Sequence, residues 1–132
     1  MEIWKEVYKG MIPKDTYKTW ITNSEERGLD IELWGSAYHV TIKFGNVSAI
    51  RILDEGIVQE GVYPDEEISK YKKNNFINCI YKLENGKFGR EIEEMSSGFI
   101  DMVSIRHYVI ITDNFNIDIV TEWEPALKID TI

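Results

Sequence analysis

The sequence predicts an α+β domain on a mainly antiparallel sheet of about six strands, with short N-terminal helices and one or two surface helices. Three observations carry that expectation. Residues 29–53 alternate apolar and polar side chains in three runs separated by turn residues. Residues 105–120 repeat the alternation on either side of Asp113-Asn114. The runs are joined by short turns, which favours antiparallel neighbours. A chain of 132 residues is one domain by size, residues 1–132.

Residues 2–9 read as a short amphipathic helix, because Ile3 and Val7, and Trp4 and Tyr8, recur at i, i+4. Gly10 would stop it. Tyr17, Trp20 and Ile21 predict a second short helix, and Trp4, Tyr8, Tyr17 and Trp20 would cap one face of a sheet. Leu29, Ile31 and Leu33, then Tyr38, Val40, Ile42 and Phe44, make an antiparallel hairpin around residues 35–37. Residues 47–53 continue it as the third strand of a meander. Residues 54–63, with Gly56 and Gly61, read as a loop with one edge strand.

Pro64 followed by Asp65, Glu66 and Glu67 marks a helix start, and Lys70, Lys72 and Lys73 suit its end. The helix is polar apart from Ile68 and Tyr71, which predicts a surface position. Residues 76–83 form the fourth strand and Glu84-Asn85-Gly86 the turn after it. Residues 88–95 are a short helix with Ile92 and Met95 inward. Residues 99–103 fit neither pattern. Residues 105–112 and 115–120 are the last two strands, with Phe115, Ile117 and Ile119 facing in and Asn116 and Asp118 facing out. The tail around Trp123 is expected to fold back over the sheet and cover that ring.

Charge narrows the function. The net charge is −8, yet the first 53 residues hold 7 acids and 7 bases. The whole excess lies in residues 54–132. Two stretches carry acids and no base: Asp54, Glu55, Glu60, Asp65, Glu66 and Glu67, then Asp113, Asp118, Glu122 and Glu124. Such a balance disfavours nucleic acid as a partner and favours a basic protein. The single cysteine, Cys79, excludes an intramolecular disulfide. With no leader or membrane span in the sequence, the reading is a cytoplasmic protein.

Catalytic motifs are missing from the sequence: there is no P-loop, GxGxxG, GxSxG or HExxH. Cys79, His39 and His107 are not at metal-ligand spacing, so neither a metal nor a cofactor is expected. Cys79 lies in an apolar run, where a thiol is inert. His107 shares a face with Val109 and Ile111 and is expected to be a hydrogen-bonded core histidine. His39 is expected to face solvent or a second layer.

Three segments together carry a family resemblance. They are MEIWKEVY with YKTWI near the N-terminus, LWGSAYHV from Leu33, and HYVIITDNFNIDIV from His107. The chain resembles small cytosolic immunity (antitoxin) proteins of Bacillus-type bacteria, partners of LXG polymorphic toxins. The resemblance implies a non-enzymatic inhibitor that neutralises a cognate toxin, expected to be basic and of nuclease type. It transfers no catalytic residue. The expected docking surface is the two acidic stretches, with Tyr63, Phe115 and Trp123 beside them as aromatic anchors. Two other readings stand beside it. One is a ligand-binding or enzymatic domain with an aromatic pocket walled by Trp34, Tyr38 and His39. The other is a homodimeric interaction module that pairs through a strand edge.

Overall fold

The computed structural model describes residues 1–55, 61–96 and 105–132. Among these are nine strands and two helices. In chain order they are β1 (Ile3–Glu6), β2 (Lys18–Ser24), β3 (Gly28–Trp34), β4 (Tyr38–Gly45), β5 (Ala49–Asp54), α1 (Asp65–Lys72), β6 (Ile80–Glu84), α2 (Lys87–Met95), β7 (Arg106–Ile111), β8 (Phe115–Thr121) and β9 (Ala126–Thr131). All pairings are antiparallel. The strands form two sheets rather than one: β1-β6-β7-β8-β5 and β2-β3-β4-β9.

The division into two sheets is the main departure from the sequence expectation. Strands β3, β4 and β5 fall where the alternation puts them, but they are not a meander. Strand β5 leaves β4 and pairs with β8, Ile50 opposite Ile119 and Ile52 opposite Ile117. Residues 46–48 make the corner, and Ser48 N–H donates to the Val120 carbonyl at 2.8 Å. Alternation fixes which side of a strand is apolar; it does not say which neighbour the strand takes. The glycine at 28 is required by close approach as well as by its φ of +75°. A Cβ there would run into the backbone of Gly45.

Both segments expected to be N-terminal helices are strands. Strand β1 pairs with β6, Trp4 opposite Leu83. Strand β2 pairs with β3 along its whole length. Four residues are too few to display a period, and the i, i+4 spacing of aromatics arose by coincidence. Trp4 is buried, but Trp20 is 60% exposed. The fourth strand begins later than expected, at Ile80, because Asn75, Phe76 and Cys79 adopt positive φ and break the extended run. Helices α1 and α2 lie close to their predicted ranges. Met95 points to solvent, because the helix packs through its first turns and not its last. The tail does return, as β9 beside β4, yet Trp123 stays exposed where residues 122–125 cross from one sheet to the other. Residues 57–60 and 99–103 lie outside the described residues.

The core follows from this layering. Leu29, Ile31, Leu33, Val40, Ile42 and Phe44 of the smaller sheet meet Ile80, Tyr108, Ile110, Ile117 and Ile119 of the larger one. A second cluster covers the other face of the larger sheet. There Trp4, Tyr63, Tyr81, Leu83, Val109 and Ile111 pack under α1, through Ile68 and Tyr71. The larger sheet is therefore buried on both faces along β7 and β8, which read as continuous buried strands.

That double burial overturns the outward placement of Asp118, which is fully buried. Its Oδ2 accepts hydrogen bonds from Arg51 Nε at 3.0 Å, Arg51 Nη2 at 2.8 Å and the Tyr63 hydroxyl at 2.8 Å. Its Oδ1 lies 2.8 Å from His107 Nε2. His107 is a hydrogen-bonded core histidine, packed beside Phe88 and against α2 at Gly86 and Gly89. A side chain at Gly86 would collide with the imidazole. Arg51 stacks over Phe88, with 4.7 Å from guanidinium to ring centre. Burial opposes the charge on Arg51, and the facing carboxylate more than offsets it. Removing one member of such a network leaves buried charge unpaired. Asp118→Ala is expected to lower stability by about 3–5 kcal/mol in urea unfolding. A loss below about 1 kcal/mol would show that the network is not a structural tie.

Candidate functional site

A cleft of about 590 Å³ opens at one end of the sandwich. That volume is within the range of small-ligand sites, roughly 300–1,000 Å³. Its floor is apolar, from Tyr63, Ile68, Phe76 and Ile111. Its acidic groups come from four separate segments: Asp15 before β2, Glu55 after β5, Asp65 opening α1 and Asp113 in the β7–β8 turn. Lys14 and Lys72 are the basic groups on its wall.

Local structure explains the convergence. Strands β5 and β8 pair with Asp54 opposite Phe115, and Glu55 N–H donates to the Asn114 carbonyl at 2.9 Å. The start of the first acidic stretch is thus held against the turn that begins the second. Tyr63, tied to Asp118, fixes where α1 starts, and Asp65 and Glu66 stand exposed in its first turn. The side chains of Glu55, Asp65 and Asp113 make no ion pair or hydrogen bond with another described residue.

Asp15 is committed to structure. It accepts hydrogen bonds from Ala37 N–H at 2.9 Å and Ser36 Oγ at 2.8 Å, and it holds the β3–β4 turn. Those bonds, Ala37 first, press its carboxyl well below the usual carboxylate range. Cys79 also borders the cleft, but burial pushes its thiol up to about 12. It is not a nucleophile at neutral pH. Among the described residues no three His, Cys, Asp or Glu side chains gather closely enough to hold a metal ion.

The predicted docking residues divide into three groups. Asp54, Glu55, Asp65, Glu66 and Asp113 lie exposed around the cleft end. Glu122, Trp123 and Glu124 follow β8, whose seven residues separate them from Asp113 by roughly 20 Å. The second stretch is therefore split between opposite ends of the sandwich. Glu67, Asp118 and Tyr63 are buried and cannot form an outer docking surface. Glu60 lies outside the described residues. The aromatic pocket expected at Trp34 and His39 is occupied by those rings themselves, stacked at 3.6 Å between centroids. Its third wall, Tyr38, is half-buried beside them.

Sequence reading missed the roles of Glu2 and Glu67. Glu67 Oε1 accepts from Trp4 N–H at 2.7 Å, and Oε2 pairs with Lys70 Nζ at 2.5 Å. Glu2 joins the Trp4 indole to the first N–H of α2, at 2.8 Å each. The acid-rich helix start was visible; nothing in it distinguishes the one glutamate that turns inward from its neighbours.

No family model matches this chain, and no curated protein or solved structure matches it significantly.

Burial acts to raise the Glu67 carboxyl, but hydrogen bonds from Lys70 and Trp4 more than offset it and leave it below the ordinary value of 4.5. A depressed carboxyl stabilises the fold above its unfolded value, and that contribution disappears as pH falls through the folded value. Glu67→Gln should therefore cost about 1–2 kcal/mol at pH 7. In urea unfolding at a series of pH values, the gap from wild type should narrow steadily below about pH 4.5. A gap that does not change with pH contradicts the ionic role.

Proposed function

We propose that this chain is a non-enzymatic immunity-type protein that binds and neutralises a basic, nuclease-type toxin through the acidic end of its sandwich. The observation that carries the reading is the convergence of Glu55, Asp65 and Asp113, drawn from both acidic stretches, around one open cleft. Three carboxylates without partners among the described residues cost little to leave in water and attract a basic surface. A field of that kind steers association and discriminates against acidic partners. The apolar floor adds area that a partner can desolvate at the centre of the patch. The far-end group Glu122, Trp123 and Glu124 is not required for this contact.

The docking test is direct. Co-expression with a basic, nuclease-type toxin domain that it recognises should restore growth, and the two purified proteins should form a 1:1 complex. Glu55→Lys, Asp65→Lys and Asp113→Lys together should weaken that complex by roughly tenfold or more, mainly through slower association, and flatten its salt dependence. Reversal of Glu122 and Glu124 should change it far less. Equal binding by the wild type and the triple variant would refute docking at the cleft end.

A further inference from the structure

The smaller sheet buries only its inner face. Leu29, Ile31 and Leu33 of β3 and Val40, Ile42 and Phe44 of β4 point into the core, and their alternate neighbours point the other way. The helices pack elsewhere, α1 on the larger sheet and α2 against β8. This open face carries two tryptophans, Trp20 at 60% exposure and Trp34 at 41%. Large exposed rings gathered on one patch mark a contact surface. It is separate from the acidic cleft.

Strand register lays the face out as three rows across β2, β3, β4 and β9. The first row is Lys18, Trp34, His39 and Asp130. The second is Trp20, Glu32, Thr41 and Lys128. The third is Thr22, Asp30, Lys43 and Ala126. Lysines and carboxylates balance in these rows, although the chain carries a net charge of −8. The face is therefore free of the repulsion that an acidic surface sets against its own copy.

The order within each row selects the occupant. A two-fold axis parallel to the strands, between β3 and β4, sets each row against its own reverse. Lys18 then faces Asp130 of a second copy, and Asp30 faces Lys43. Trp20 faces Lys128, a cation–π contact. Each contact occurs twice, as a self-complementary interface requires. An axis across the strands does the opposite: Glu32 meets Glu32, Lys128 meets Lys128 and His39 meets Lys43. Within one copy Lys128 stays 3.8 Å from Asp130, which leaves that carboxylate room for a second cation.

We propose that the chain forms a symmetric dimer through the open face of the smaller sheet, with its two-fold axis along the strands between β3 and β4. The contact joins sheet faces and needs no strand edge. Four strands about 4.8 Å apart and about six residues long present roughly 400 Å² in projection. Two such faces make a small interface, of the size that gives weak, reversible association.

Sedimentation equilibrium of the full chain at low salt should show a monomer–dimer equilibrium at micromolar concentrations. Within one copy Lys18 and Asp130 are three strand spacings apart, about 14 Å, so they meet only across the interface. Lys18→Glu alone and Asp130→Lys alone should each weaken the dimer by about tenfold or more, because each creates two like-charge pairs. Mixed in equal amounts, the two variants should associate as tightly as wild type, because both pairs are then opposite in charge. Trp20→Ala should weaken the dimer by about tenfold and leave the monomer's unfolding midpoint unchanged, since the ring is exposed. A chain that stays monomeric at every concentration overturns the inference. So does a dimer that both charge variants form as well as wild type, which would assign the contact to another surface. A mixture that associates no more tightly than its components overturns it as well.

Discussion

The buried carboxylate of Asp118 ties β8 through side-chain hydrogen bonds to three other parts of the chain. It reaches β5 through Arg51, β7 through His107 and the segment before α1 through Tyr63. Among the described residues strand β5 is an edge strand with β8 as its only neighbour, so its place depends on the ladder and on that ion pair. Helix α1 rests on the aromatic cluster of Trp4, Tyr63 and Tyr81, and Tyr63 is the member anchored to a charge. A fully buried carboxylate is costly unless each oxygen is satisfied, and here both are. The interaction therefore selects one arrangement of these segments over looser ones, whatever its net contribution to stability.

The acidic cleft is a consequence of the same tie. Glu55 follows β5, Asp65 starts α1 two residues after Tyr63, and Asp113 begins the turn into β8. Each sits at the end of an element that the Asp118 network holds. The opposite end of β8 lies beyond its reach, and the acids there stay apart from the group. The acids of the cleft thus sit at the ends of elements already held in place, and such preorganisation lowers the ordering cost of binding a partner.

Much of the fold was legible in the sequence, and the illegible part has definite physical causes. Strands β3, β4, β7 and β8 and both α-helices follow from alternation, turn residues and helix-end charges. The pairing of β5 with β8 did not, because a corner at residues 46–48 and a hairpin turn have the same local composition. Asp118 was placed outward because alternation on a strand with one solvated face sends polar residues to water. On a sheet covered on both sides that rule fails, and a buried Asp with Arg, His and Tyr from distant positions takes its place. The acidic stretches were visible as charge, but their sorting into docking, structural and far-end residues needed the three-dimensional pairing. Asn116, expected to face out like Asp118, is buried for the same reason.

Amide hydrogen exchange in Asp118→Asn, compared with wild type residue by residue, tests most directly whether this one carboxylate positions the site. The substitution keeps the shape of the side chain and removes its charge. Protection is predicted to fall first and furthest at the Glu55 amide, along β5 and across α1, with smaller changes in β3 and β4. A uniform fall over both sheets, or unchanged protection at Glu55 and α1, would contradict the account.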